Sequence, residues 1–145
     1  MVKLFLPAML KKGSGRIMNV GSVGSFMPGP INAVYCAAKA YVLSFSEALA
    51  EELLGTGVTV TALCPGAIRT EFPQRAGIAD VRVFQSRITT ADPQMVAKSG
   101  YKTMLKGKSV IVPGVLNKIA IASLRVTPRC CVRKASKIGM SRNAQ

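Results

Sequence analysis

The chain has 145 residues, 49% of them hydrophobic, with 13 glycines and 8 prolines; this suits one globular domain with a real core and excludes a disordered chain. It contains no histidine, which removes Ser-His-Asp triads, Cys-His pairs and His-liganded zinc. The formal charge of +14 is uneven: residues 1–92 carry nine Lys/Arg against all six acids, a net of +3, whereas residues 93–145 carry eleven Lys/Arg and no acid, a net of +11.

Taken in chain order, Val2 to Lys12 reads as the end of an amphipathic helix, with two lysines in its last turn and Gly13 as a left-handed cap. Its apolar stretch Leu4 to Leu10 contains Pro7 and runs into Lys11-Lys12, so it is read as a helix and not as a signal peptide. Arg16 to Val20 is a short apolar strand, and a Gly-, Ser- and Pro-rich loop follows to Pro30. A helix is expected from Asn32, its N-cap, to Leu54, with a buried stripe of Ala38, Val42, Phe45, Leu49 and Leu53. Val58 to Leu63 is a β-branched second strand. The order strand, helix, strand with short connections predicts a βαβ crossover and a parallel sheet covered by helices. Residues 73–90 read as a loop or lid with short helical pieces. A helix is predicted over Pro93 to Lys106 and a third strand over Ser109 to Val112. From Leu116 the chain reads as basic amphipathic helix interrupted at Pro128. Residues 1–115 thus form one region and 116–145 a basic amphipathic tail.

Other chemistries find little support. Cys36, Cys64, Cys130 and Cys131 make no C-x-x-C arrangement, so neither a disulfide framework nor a zinc site is suggested. Glu47, Glu51 and Glu52 read as the solvated face of a helix, against paired-carboxylate or two-metal mechanisms. The apolar run Val110 to Val126 is broken by Pro113, Gly114, Lys118 and Arg125 and cannot span a bilayer. A cytoplasmic location is the default expectation.

Three features converge on the carboxyl edge of the predicted sheet, where open parallel sheets build their sites. Ser22 lies two residues past the first strand. Tyr35 and Lys39 stand four apart in the first turns of the next helix, on one face. Pro65-Gly66-Ala67-Ile68-Arg69-Thr70 follows the second strand directly. A phenol titrates near about 10, too high for a base at neutral pH, and an ammonium one helical turn away favours the phenolate. Such a tyrosine can pass a proton to or from a substrate oxygen, while a serine hydroxyl steadies the same oxygen. These groups handle protons only, so the hydride must come from a cofactor. Each feature also has a plain structural reading: an exposed helix pair, a turn serine, a strand terminator.

The combination resembles the short-chain dehydrogenase/reductase family, of the classical type. It is carried by Asn19-Val20-Gly21-Ser22, twelve residues, Tyr35-Cys36-Ala37-Ala38-Lys39, and Pro65-Gly66-x-x-x-Thr70. Ser25-Phe26-Met27-Pro28-Gly29-Pro30 and Ser44-Phe45-Ser46-Glu47-Ala48-Leu49 are similar to segments that flank the catalytic pair in bacterial members. The resemblance is dense over residues 10–72 and thin beyond. It implies Ser22, Tyr35 and Lys39 as the catalytic set, with Tyr35 and Lys39 also touching a NAD or NADP cofactor. It implies the Pro65-Gly66 turn against the nicotinamide, Ile68 and Thr70 at its carboxamide, and Phe26 to Pro30 at the substrate entrance. Gly21, where a second serine is common, and Ala38, where serine or threonine is usual, depart from the pattern.

The resemblance implies an α/β fold, here a partial Rossmann-like, doubly wound parallel sheet. The family's opening βαβ unit has no match in the sequence. With it go the glycine-rich turn that binds the pyrophosphate, the catalytic asparagine and the residue that separates NAD from NADP. A sheet edge stripped of neighbours is expected to expose apolar surface. Two readings follow. One is an oxidoreductase interconverting a small-molecule carbonyl and alcohol; the other is a truncated, non-catalytic remnant acting through dimerisation or surface binding. Family members pair through the helix carrying Tyr35 and the one before it, which implies a homo-oligomer. The basic tail reads as a solvated cationic face or as a contact for a membrane surface or partner, not for nucleic acid.

Overall fold

The computed structural model describes residues 1–85 and 90–141. Helix α1 (Val2–Lys12) ends at Gly13, whose φ of 65° supplies the left-handed cap. Strand β1 (Gly15–Val20) and strand β2 (Val58–Leu63) run parallel, with Gly15 opposite Val58 and Val20 opposite Leu63. Helix α2 (Ala33–Glu52) forms the crossover between them. Strand β3 (Val110–Ile111) pairs parallel to β2 on its other side, giving the order β1-β2-β3. The register begins at a close approach: Gly57 has a φ of 78°, and a Cβ there would collide with the carbonyl oxygen of Gly13. Only glycine satisfies both demands.

Strand alternation sorts the layers. Val58 and Val60 face α2, packing with Leu49 and Leu53 and with Val2, Leu6 and Met9 of α1. Ala62 and Cys64 continue that face against Leu43. The other face of β2 meets helix α5 (Pro93–Leu105), where Gly100 lies so close to Leu63 that a Cβ would come within 2.9 Å of its Cδ2. Helices therefore cover both faces of β2, a partial Rossmann-like arrangement. The Asp92 side chain caps α5 by accepting from the Met95 N–H at 3.0 Å.

Burial differs across the sheet. All of β2 except Thr59 is buried, whereas β1 is at most half-buried and its Val20 is exposed. At the β1 edge, exposed Val20 and Arg16 lie beside half-buried Ile17 and Met18.

One expectation is corrected. The buried positions of α2 are Leu43, Ser46 and Leu49, with Leu53 at its end, while Ala38 is exposed and Val42 and Phe45 are half-buried. The stripe is rotated because it is built around a polar residue. Ser46 donates to Val42 O at 2.6 Å and accepts from Asn19 Nδ2 at 2.9 Å, so a serine sits fully buried with its hydroxyl satisfied. Asn32 precedes α2 but makes no side-chain cap bond.

Residues 73–90 contain short helical pieces, α3 (Phe72–Arg75) and α4 (Arg82–Gln85). Residues 86–89 of the expected lid lie outside the described residues, as do the last four of the basic tail. That tail folds as α6 (Val115–Ser123) and α7 (Arg129–Gly139), broken at Pro128. Among the described residues, no helix is long and apolar enough to cross a membrane.

Candidate active site

The loop after β1 is held to both neighbouring elements. Gly21 N–H donates to Leu63 O at 2.8 Å, and Val23 N–H to Pro65 O at 2.9 Å, which ties the two strand ends together. Residues Val23–Phe26 form one 3-10 turn. Ser22 caps it, its hydroxyl accepting from Gly24 N–H at 3.1 Å while its own N–H donates to Ser25 Oγ at 3.1 Å. The Ser25 hydroxyl then donates to the backbone carbonyl of Lys39 at 2.8 Å. This chain of bonds fixes the serine loop on the first turns of α2.

Lys39 reaches back to the sheet, its Nζ donating to Val20 O at 2.8 Å. It stands 5.8 Å from the centroid of the Tyr35 ring. A Cβ at Gly24 would touch Ser22 Oγ at 3.5 Å and Tyr35 Cε1 at 3.6 Å. The serine and the tyrosine thus flank Gly24, and its missing side chain leaves the room between them. Ser22, Tyr35 and Lys39 are brought together at the carboxyl end of β1.

Pro65 is buried, and Gly66 carries the close packing of α6: a Cβ there would meet the Asn117 amide at 2.7 Å. Asn117 is held by its own bond, Nδ2 to Pro113 O at 2.8 Å. Ile68 pairs with Ala91 in an isolated parallel bridge, and Thr70 accepts from Phe72 N–H at 3.3 Å. Ile68 and Thr70 line an open cavity of about 460 Å³ with Pro73, Gln74, Ala79 and Phe84. Ser22, Tyr35 and Lys39 lie outside that lining. The cavity therefore gathers Ile68 and Thr70 beyond β2 with residues of the following segment, and Ser22, Tyr35 and Lys39 form a separate cluster on the β1 side.

Several contributors had no signal in the sequence. Cys64 lies beneath the serine loop, where burial pushes its thiol above the usual range, an effect partly offset by the nearby polar groups of Ser22 and Ser25. It also explains the departure at Gly21, since a Cβ there would come within 2.8 Å of Cys64 Sγ. The Cys36 thiol, raised by burial, presses on Gly24 and Gly29. Ile31 has a φ of 73°, a conformation that a β-branched residue adopts only under strain.

The sequence pattern of the short chain dehydrogenase family matches residues 1–79, more than half of the chain. The chain belongs to that family. An oxidoreductase named SadH from Mycobacterium tuberculosis is 32% identical over 133 residues, covering 86% of this chain and 48% of its own length. The 3-oxoacyl-[acyl-carrier-protein] reductase FabG of Haemophilus influenzae is 44% identical over 82 residues, 52% of this chain and 34% of that enzyme. A short-chain dehydrogenase from Sphingobium yanoikuyae, solved in complex with NADPH, superimposes with a TM-score of 0.67 at 29% identity, over 83% of this chain and 46% of that one. The chain spans about half or less of the length of these short-chain dehydrogenase relatives.

Proposed function

We propose that this chain carries the proton-transfer centre of a NAD(P)-dependent oxidoreductase that interconverts a small-molecule carbonyl and its alcohol. One observation carries the reading: Lys39, anchored on Val20 O at 2.8 Å, stands beside the Tyr35 ring at the strand end where Ser22 is held. In reduction, Tyr35 Oη gives its proton to the carbonyl oxygen and in oxidation takes it from the alcohol. The Ser22 hydroxyl holds the same oxygen and steadies the charge that develops on it. The Lys39 ammonium stabilises negative charge left on the tyrosine oxygen.

The donor set suits a nicotinamide cofactor. Lys39 commits one of its three N–H donors to Val20 O, which leaves two for ribose hydroxyls. The Thr70 hydroxyl accepts from Phe72 N–H and keeps its proton for a carboxamide, with Ile68 lining the same cavity; the Pro65-Gly66 turn that precedes them is assigned to the nicotinamide. When bound, such a cofactor supplies or accepts the hydride. The NADPH complex of the Sphingobium yanoikuyae dehydrogenase favours this class of cofactor. Residues 1–115 are assigned as the catalytic region and 116–145 as a basic amphipathic tail, whose first helix reaches back to Gly66 through Asn117. The four unpaired cysteines suit a reducing compartment, and we assign the protein to the cytoplasm.

A second reading, assembly without catalysis, is favoured by the outer faces of α1 and α2. No residue of α1 is buried, and Leu4, Phe5, Val34 and Tyr41 are exposed. Those surfaces suit pairing of two copies through these helices. Titration of the 145-residue chain with NADPH and NADH separates the readings. Saturable binding that weakens in Lys39→Met supports the enzyme. Absence of binding up to about 1 mM cofactor, an affinity of only about 4 kcal/mol, together with dimerisation, would establish the assembly reading instead.

A further inference from the structure

Helix α6 shows its apolar side to solvent. Its half-buried positions, Asn117, Ile121 and Leu124, follow helical spacing and face the body of the protein. The opposite side carries Val115, Leu116 and Ile119, each more than 60% exposed, and Val126, just past the end of the helix, is 85% exposed. Lys118 and Arg125 flank this row. In α7, Val132 alone is buried, while Arg129, Arg133 and Lys137 form one exposed row at i, i+4 spacing. Cys131, Ala135 and Ile138 form a second exposed row, small or apolar. Residues 93–145 contain no acid, so nothing in this region neutralises its cations.

We propose that α6 and α7 form a docking face for an anionic lipid surface, with the row on α6 entering the headgroup boundary and the cations of α7 meeting lipid phosphates and carboxylates. Charge complementarity selects this occupant. A second copy packed face to face would set the six cations of residues 115–139 against six, a like-charge contact. Nucleic acid would use aromatic platforms for stacking, and no aromatic residue follows Tyr101. A bilayer surface supplies both what the apolar row lacks and what the charges lack. At nine residues, α6 is about 13 Å long and lies along such a surface without crossing it. This inference is independent of the reading of the Ser22 cluster.

The test is co-sedimentation of the full chain with phosphatidylcholine vesicles that contain or lack phosphatidylserine, with a vesicle-free control. Binding is expected only with phosphatidylserine, and it should fall as salt rises from about 0.05 to 0.5 M. Leu116→Glu/Ile119→Glu should abolish it. Arg133→Gln/Lys137→Gln should weaken it about fivefold for each charge removed; these two exposed positions keep the variant foldable, checked by circular dichroism. Equal binding to both vesicle types, no binding to either, or binding unchanged by Leu116→Glu/Ile119→Glu would each overturn the proposal. So would a self-associated chain that Leu116→Glu/Ile119→Glu converts to monomer without any vesicle binding, since a second copy would then be the occupant.

Discussion

Helices α2 and α6 are both rich in apolar residues, yet they spend them in opposite directions. In α2 the large side chains Leu43, Leu49 and Leu53 close over β2, and the polar pair Tyr35 and Lys39 is carried at the amino end near the strand termini. In α6 the half-buried side is led by an asparagine, and Val115, Leu116 and Ile119 point away from the protein. Composition does not separate the two helices; what lies beneath them does. A helix across a parallel sheet is given a core to fill, whereas α6 rests on the protein along one half-buried side, Asn117, Ile121 and Leu124, and offers its apolar surface elsewhere.

Substitutions along this contrast sharpen it. The largest effect is expected at the head of α2: Tyr35→Phe should lower kcat for NADPH-dependent ketone reduction about 10²- to 10⁴-fold, with thermal stability unchanged. Unchanged turnover would remove Tyr35 from the mechanism. Leu49→Ala, in the buried stripe of α2, should cost about 2–5 kcal/mol in a urea titration. The strained residue just before α2 gives the reverse sign. Ile31→Gly should stabilise by up to about 1–3 kcal/mol, because glycine adopts its φ of 73° freely; a loss of stability would mean that its side chain matters more than its backbone.

A smaller effect concerns the thiol beneath Leu43. Burial raises Cys64, so the folded state keeps this proton to higher pH than the unfolded chain does. Its stabilising contribution is fully present below the ordinary thiol range and is lost as pH rises from there through the raised value of the folded thiol. Cys64→Ala should flatten that alkaline loss, measured as the thermal midpoint against pH. Smallest of all, Leu116→Ala on exposed α6 should change stability by no more than about 0.5 kcal/mol, in contrast to Leu49→Ala. A cost similar to that of Leu49→Ala would show that α6 is a core helix after all.

What was legible in the sequence followed from strong local patterns. Val58–Leu63 was readable because β-branched residues run between a glycine turn and Pro65-Gly66, and α5 because Asp92-Pro93 is both a cap and a first-turn pair. Ser22, Tyr35 and Lys39 stand out in the sequence by order and spacing, and in the fold these three residues lie near one strand end; their roles belong to the proposed function. The buried stripe of α2 was misread because hydropathy hides Ser46, whose burial depends on partners 4 and 27 residues away. For the same reason the supports of the site were invisible. Ser25, Cys64 and Asn117 act through contacts with Lys39, Gly21 and Gly66 that only the assembled chain creates.

The approach of Gly57 to Gly13 has a mechanical meaning. It locks the two strands at the end farthest from the site, so their whole six-residue length acts as a pair of rigid arms. A slip of one residue at that hinge would turn every side chain of β1 to the opposite face. Asn19 would then leave Ser46, and the Val20 carbonyl that anchors Lys39 would point the wrong way. Two glycines at the far end of the sheet thereby set where Asn19 and the Lys39 anchor point.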